Sequence, residues 1–238
     1  MYVALPVAAG SGAIALDAMR SLGIDGLSVT MPHKEVVAQN VDRQTEAVTR
    51  LRACNCVARD GDMLVGHNTD GAGFVASVAH GAGIDLSGAR VAVLGAGGAA
   101  RAIIHAVGAA GAERVLVINR TQSRAEDAAE ASDVAAVGTP DDLAEVDVIV
   151  NATAVGMDGG PAPDALPLDP EVLGAQQLVV DIVYQPELTP LLDAAATRGV
   201  KTLGGLGMLV HQAALQFELW TGESAPIDVM TAALRTPA

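Results

Sequence analysis

The sequence has few aromatic and few basic residues. Phe, Trp and Tyr make up 2% of the 238 residues, and 14 Lys and Arg stand against 28 Asp and Glu, a formal net charge of −14. The shortage of aromatic rings argues against a surface that stacks nucleic-acid bases, and the negative charge repels polyanions. An anionic ligand would need a local cluster of cations or helix N-termini. We therefore expect small-molecule ligands and no nucleic-acid partner.

Long apolar runs, a signal sequence and cysteine pairs are also missing. Charges or glycines break every apolar run before the ~18 residues that a membrane-spanning helix needs. Residues 1–10 lack the basic region of a signal peptide. Cys54 and Cys56 make neither a disulfide framework nor the paired ligand sets of a zinc site, and small semi-buried thiols explain them better. We expect a cytoplasmic protein without a metal or membrane contact.

Strands and helices alternate along the chain at the spacing of βαβ units, which predicts an α/β fold in two lobes. In the first lobe the pattern predicts strands at 2–7, 27–30, 53–59 and 63–66, a helix at 13–22, more than one helix through 35–51, and a helix at 70–82. The turn-rich stretch GAGIDLSGAR at 81–90 marks the boundary between the lobes.

A glycine motif opens the second lobe. The buried-strand pattern Arg90–Leu94 leads directly into G-x-G-x-x-A and an Ala-rich helix. Gly95 would make the tight turn, Gly97 would let the backbone approach a pyrophosphate, and Ala100 would permit close packing of helix on strand. The helix N-terminus would bind the phosphates. Dinucleotide binding explains this setting better than an ordinary glycine turn does.

The end of the next strand, Arg114–Ile118, indicates which dinucleotide binds. NAD sites usually carry an acid about 20 residues after the glycines, but here Asn119-Arg120-Thr121 follows the strand. Arg120 offers a planar cation to the 2′-phosphate of NADP, with Thr121 and Arg124 as further candidates. A solvated helix residue explains Arg124 equally well. The sequence therefore predicts NADP as the cofactor.

Polar residues also follow two later strands, predicted at 146–150 and 179–184. Asn151 and Thr153 come after the first, and Tyr184 ends the second. Ligands bind at the carboxyl ends of strands in such sheets. Each of these side chains alone could simply cap the sheet, so they support a ligand site only as a set.

A lysine stands near a predicted helix start in the first lobe. Pro32 is expected to open the helix that follows the strand 27–30, because proline is tolerated in a first helical turn. The helix macrodipole disfavours a cation there by roughly 0.3–1 kcal/mol. Lys34 is therefore either merely solvated or held in place for chemistry.

Together these motifs resemble shikimate dehydrogenases over essentially the whole chain, in order. The stretches that carry the resemblance are VTMPHK at 29–34, Asn55, NTDG at 68–71, GAGGAAR at 95–101, NRT at 119–121, NAT at 151–153, DIVYQP at 181–186 and GMLVHQA at 207–213. The resemblance implies a substrate-binding α/β domain at 1–84, completed by 208–238, and an NADP-binding Rossmann domain at 85–207, with a cleft between them. It implies reversible reduction of 3-dehydroshikimate to shikimate by NADPH, a step of aromatic amino acid and chorismate biosynthesis.

Position by position, the resemblance makes Lys34 and Asp70 the catalytic pair. It implies that substrate is bound by Thr30, Asn55, Tyr184 and Gln212. It implies cofactor contacts at Gly95, Ala96, Gly97, Gly98, Ala99, Asn119, Arg120, Thr121, Arg124, Thr153 and Met208. Hydride delivery to a ketone develops negative charge on oxygen, so a cation stabilises the transition state and a proton donor completes the alcohol. Lys34 can do either, and Asp70 would orient it; His33 and His67 receive no role.

The chain departs from the family pattern in three places. Family members normally begin with a further strand and a Ser-x-Ser-Pro turn that binds the substrate carboxylate, and neither precedes Tyr2. Cys56 replaces a usual Thr, and Ala154 a frequent Ser. Two alternatives stay open. The first is a quinate/shikimate dehydrogenase, but such forms often prefer NAD, and Arg120 argues against it. The second is a catalytically silent NADP-binding relative that lacks the turn for the substrate carboxylate. The oligomeric state is open between monomer and homodimer.

Overall fold

A computed structural model describes residues 1–235 of the chain. The chain divides into two compact units, one made of Met1–Thr69 with Ala214–Ala225, the other of Asp70–Ala213 with the residues from Pro226 onward. The helix at 70–82 thus groups with the second unit, whereas the predicted division at residue 84 assigned it to the first. The division by function, into substrate and cofactor domains, stays a prediction.

The described residues form nine α-helices and ten strands. The helices are α1 (Gly12–Leu22), α2 (Lys34–Asn40), α3 (Glu46–Leu51), α4 (Asp70–Ala82), α5 (Gly98–Ala109), α6 (Gln122–Ala129), α7 (Pro190–Thr197), α8 (Leu206–Thr221) and α9 (Ile227–Arg235). The strands are β1 (Gly26–Ser28), β2 (Arg43–Gln44), β3 (Cys56–Asp60), β4 (Met63–His67), β5 (Arg90–Leu94), β6 (Arg114–Ile118), β7 (Ala135–Val137), β8 (Val148–Asn151), β9 (Leu178–Asp181) and β10 (Lys201–Leu203). Among these residues, no helix is both long and apolar enough to span a membrane.

The first unit contains a four-stranded mixed sheet in the order β1-β3-β4-β2. β3 pairs antiparallel with β1 and β4, and β2 runs parallel to β4. Leu16 and Met19 of α1 pack with Val37 of α2 and Leu64 of β4 in a buried apolar cluster. Trp220 of α8 also belongs to this unit, and its indole Nε1 donates to the Val57 carbonyl at 2.9 Å.

The second unit is built on a parallel six-stranded sheet in the order β10-β9-β8-β5-β6-β7. Its central strands are buried apolar runs such as Val91–Leu94, as expected where helices cover both faces. The strand order reverses between β5 and β8, and doubly wound sheets bind ligands outside the carboxyl ends of the strands at such a reversal. The predicted α/β architecture with a Rossmann-type unit is confirmed.

Residues 2–7 were predicted to form a strand, and this is wrong. They lie outside every helix and strand, and Tyr2 and Leu5 expose 76% and 54% of their surface. Within the described chain, β1 has β3 as its sheet neighbour and no strand on its other side. A strand needs a partner to satisfy its backbone, and Pro6 could not donate to one.

The helices predicted through 35–51 are α2 and α3, and the sequence did not predict the short strand β2 between them. The Asp42 carboxylate accepts from the Leu64 N–H at 2.6 Å, and the Asp42 N–H donates to the Leu64 carbonyl at 2.9 Å. These bonds tie residues 41–44 to β4 and end α2 at Asn40. Pro32 was predicted to open α2, and this is wrong. It lies in a turn after a cis Met31–Pro32 bond, and the helix begins at Lys34.

Candidate functional site

The segment from Thr30 to Lys34 is a turn that leads into α2. The Thr30 carbonyl accepts from the His33 N–H at 3.0 Å, and the Lys34 carbonyl accepts from the Cys54 N–H at 2.9 Å. Thr30 is exposed and Lys34 is half-buried. The loop before β3 therefore fixes the backbone that carries the ammonium group, at a helix start where the macrodipole disfavours a cation.

Asn55 lies in a buried hydrogen-bonding network of the same unit. Its Oδ1 accepts from the Thr69 N–H at 2.7 Å, and its Nδ2 donates to Thr69 Oγ1 at 3.0 Å. Gln216 Nε2 donates to the same hydroxyl at 3.2 Å. All three residues are almost fully buried. The network fixes the side-chain orientation of Asn55, and sequence reasoning missed Thr69 and Gln216 in it.

Asp70 is the first residue of α4, where the macrodipole favours a carboxylate. Two glycines let this helix pack closely on its neighbours. A Cβ on Gly71 would clash with the Ala102 carbonyl of α5, and one on Gly73 would lie 2.6 Å from the Gln212 nitrogen of α8. The Asp70 end of α4 is therefore held by backbone-to-backbone contacts that any larger residue would disrupt.

The glycine turn after β5 has the two properties that a dinucleotide needs. Gly95 has φ +112°, and a Cβ on it would lie 2.8 Å from the Ala152 carbonyl. Gly97 and Gly98 are exposed, and a Cβ on either would meet no atom within 4 Å. The N-cap residue of α5 is Gly97, which has no side chain to cap the helix. The first N–H groups of a helix have no partner within it, and the open space beside Gly97 and Gly98 leaves room for a pyrophosphate there.

The turn after β6 presents cations and no acid. Asn119 Nδ2 donates to the Thr121 carbonyl at 2.9 Å, which fixes the turn, and Thr121 begins α6 as its N-cap residue. Arg120 and Arg124 are both exposed. A 2′-phosphate fits this pair, whereas a free ribose hydroxyl would find no carboxylate within Asn119–Thr121 to accept its hydrogen bond.

The strand predicted at 179–184 ends earlier, at Asp181 of β9, because the Asp181 carboxylate accepts from the Val183 N–H at 3.0 Å. Tyr184 consequently lies on a loop and is 47% exposed. It lines a cavity of about 590 Å³ together with Gly205, Leu206 and His211. A Cβ on Gly205 would clash with the Ile182 carbonyl, so the loop before α8 packs directly against the residue that follows β9. Met208 is half-buried in the first turn of α8.

The two cysteines are fully buried and are thiols in the folded protein. Burial raises the pKa of Cys54 to about 11 and that of Cys56 to about 12. In the part of the chain that the structure describes, no group of three or more His, Cys, Asp or Glu could hold a metal ion. Because the reactive form is the thiolate, we expect neither thiol to react with a disulfide reagent at mildly alkaline pH until the protein is denatured. Rapid reaction of the folded protein, followed by absorbance, would contradict this.

Family models match three successive parts of the chain. They describe the shikimate dehydrogenase substrate binding domain (residues 1–57), shikimate / quinate 5-dehydrogenase (residues 77–157) and the shikimate 5′-dehydrogenase C-terminal domain (residues 205–235). A curated shikimate dehydrogenase (NADP(+)) of Bacillus subtilis strain 168 is 39% identical over 223 residues, covering 91% of this chain and 79% of that protein.

Solved structures with the same fold have been determined with ligands. Shikimate 5-dehydrogenase from Listeria monocytogenes, in complex with shikimate and NAD, superposes with a TM-score of 0.91 at 32% identity, covering 98% of this chain and 85% of that chain. The Thermus thermophilus enzyme, in complex with NADP(H) and shikimate, gives a TM-score of 0.86 at 37% identity, covering 96% and 85%.

Proposed function

This chain belongs to the shikimate dehydrogenase family, and we propose that it catalyses the reversible, NADP-dependent reduction of 3-dehydroshikimate to shikimate. The choice of NADP as cofactor rests on Arg120, which is exposed at the position where an NAD site would hold an acid. The substrate half rests on the relatives, which are named shikimate dehydrogenases.

The cofactor, when bound, supplies the hydride. We propose that the N–H groups at the start of α5 bind its pyrophosphate beside Gly97 and Gly98, where the backbone is open. Arg120, helped by Thr121 and Arg124, binds the 2′-phosphate through charge-assisted hydrogen bonds. Met208 lies beside the nicotinamide in this proposal, and Thr153 also contacts the cofactor. The remaining proposed contacts are Gly95, Ala96, Ala99 and Asn119.

On the substrate side, we propose Lys34 and Asp70 as the catalytic pair. Negative charge develops on the ketone oxygen as hydride arrives, and the Lys34 ammonium stabilises it. The alcohol then requires a proton at that oxygen, which Lys34 Nζ carries. Asp70 offsets the cost of placing a cation at a helix start. Thr30, Asn55, Tyr184 and Gln212 bind the substrate hydroxyls and carboxylate in this proposal.

Replacing Arg120 by Ala is expected to weaken NADP binding about 10–100-fold, the worth of a hydrogen bond to a charged group. NAD binding should not change, since NAD has no 2′-phosphate. Titration calorimetry with both dinucleotides measures the difference. Arg198→Ala is a matched control, because Arg198 is an exposed arginine of the same unit that donates to the Glu171 carbonyl. Equal losses for NADP and NAD would contradict the role of Arg120.

Initial rates of NADPH formation with shikimate test the proposed function, run beside quinate and with NAD as the exchanged cofactor. Turnover of shikimate with NADP is expected. Faster turnover of quinate with NAD would favour a quinate/shikimate dehydrogenase instead. A silent relative would be stabilised against heat by NADP alone, whereas the enzyme should gain further stability from shikimate, because each ligand that binds the folded state raises its stability.

A further inference from the structure

One buried carboxylate joins the loops that follow two neighbouring strands of the second unit. Asp181 ends β9 and is fully buried, as is Asn151, which ends the adjacent β8. Asp181 Oδ1 accepts from Asn151 Nδ2 at 3.0 Å and from the Val183 N–H at 3.0 Å. Asp181 Oδ2 accepts from Thr189 Oγ1 at 2.7 Å. A charge this deeply buried is costly unless it is paired or fully hydrogen-bonded, and here three donors on three segments surround it.

On one side the network extends to the glycine turn. Asn151 Oδ1 accepts from Thr153 Oγ1 at 2.7 Å and from the Thr153 N–H at 3.1 Å. The Thr153 methyl group and the Ala152 carbonyl are the atoms nearest to a Cβ position on Gly95, at 3.1 and 2.8 Å. The orientation of Asn151 therefore sets the surface against which the Gly95 turn packs.

On the other side the network fixes both ends of the Tyr184 loop. The Val183 N–H holds the beginning of this loop, and Thr189 holds its end. Thr189 is also the N-cap of α7, and its hydroxyl accepts from the Leu192 N–H at 3.3 Å. Tyr184 lies between these two attachments on an otherwise exposed loop.

We propose that Asp181 is a positioning residue that sets the geometry of the cofactor side and the substrate side together, by holding the Thr153 loop and the Tyr184 loop on one carboxylate. This inference rests on the proposed function, which assigns Thr153 to the cofactor and Tyr184 to the substrate. Displacement of a binding group by about 1 Å can cost up to 10²-fold in rate. One substitution at Asp181 should therefore weaken the binding of both NADP and shikimate.

The test compares three variants by two binding measurements and by steady-state kinetics. Asp181→Asn keeps the size of the side chain but replaces one acceptor oxygen with a donor that faces Thr189. It is expected to raise the Kd of NADP and the KM of shikimate each by about tenfold. Thr189→Val removes the attachment at the end of the Tyr184 loop together with the side-chain cap of α7, but no bond on the Thr153 side. It should raise the KM of shikimate while leaving the Kd of NADP unchanged.

Gln177→Met is the matched structural control. Gln177 is a buried polar residue at the opposite end of β9, where it donates to the Leu143 and Val146 carbonyls at 2.7 and 2.8 Å. Its replacement should lower the melting temperature without changing the Kd of NADP or the KM of shikimate. If Asp181→Asn changed the melting temperature but neither the Kd of NADP nor the KM of shikimate, Asp181 would be a structural residue only and the inference would be overturned.

The same design separates this inference from the proposed function. An unmodified chain that fails to oxidise shikimate contradicts the proposed function. The Kd of NADP and the shikimate-dependent thermal shift need no turnover. These two measurements therefore test the role of Asp181 whether or not the chain turns over shikimate. Weaker binding of both NADP and shikimate supports the inference, and an unchanged Kd of NADP overturns it.

Discussion

Replacing Lys34 by Met is expected to lower kcat for shikimate oxidation on the order of 10²–10⁴-fold, the range that a positioned proton-transfer group contributes. Methionine keeps the length and the apolar stem of the side chain but removes the charge and the proton. Since the ammonium acts most strongly on charge that develops in the transition state, kcat should fall more than the KM of shikimate rises. The Kd of NADP should stay unchanged.

The sequence offers a natural control for this experiment, because Lys34 and Lys201 are its only lysines. Lys201 begins β10 in the second unit, where its Nζ donates to the Ala82 carbonyl. Lys201→Met removes the same charge and should leave kcat unchanged. A Lys34→Met enzyme that kept most of the wild-type kcat would contradict the assigned role of Lys34.

Replacing Gly95 by Ala is expected to destabilise the protein by about 2–6 kcal/mol. A non-glycine residue held at an unfavourable φ costs about 1–3 kcal/mol, and forcing a methyl group into a packed site costs about 1–3 kcal/mol more. The methyl group would press on the Ala152 carbonyl, at 2.8 Å, so the turn would have to move. Urea denaturation measures the loss, and NADP affinity should fall with it.

Gly97→Ala, in the same turn, distinguishes an effect on protein stability from an effect on NADP binding. Gly97 has φ −80°, and a Cβ on it would meet no atom within 4 Å, so an alanine fits without strain. We expect unchanged stability and weaker NADP binding, because the added methyl group occupies the space that a pyrophosphate would take. Tight NADP binding by a stable Gly97→Ala variant would contradict the phosphate-binding role of this turn.

The parts of the fold that the sequence predicted well are those set by local periodicity. β5 at Arg90–Leu94, β6 at Arg114–Ile118 and α4 at Asp70–Ala82 have the predicted bounds residue for residue. Each is a buried apolar run or an amphipathic stretch that ends at glycines or polar residues, and such signals lie within the segment itself. The dinucleotide turn was predictable for the same reason.

The elements that the sequence mispredicted depend on distant partners. Residues 2–7 carry a strand-like pattern, yet in the described chain they have no neighbouring strand. β2 exists because Asp42 is bonded to Leu64, which lies 22 positions further along the chain. No local pattern encodes a pairing of that kind.

The site residues divide in the same way. Lys34, Asp70 and Asn55 received roles from the motifs, whereas Thr69 and Asp181 lie in quoted motifs but received no role from the sequence. Thr69 bonds to Asn55 across 14 positions, and Asp181 bonds to Asn151 across 30. These polar groups are identifiable only once the fold shows that they are buried and which donors face them.

The central claim is hydride transfer from NADPH to 3-dehydroshikimate. Deuterium transfer from labelled NADPH measures it most directly. The chain is incubated with 3-dehydroshikimate and NADPH deuterated at both C4 positions of the nicotinamide ring, and the product is analysed by mass spectrometry. We expect shikimate that carries a single carbon-bound deuterium. Unconverted 3-dehydroshikimate, or shikimate without deuterium, would contradict the proposed function.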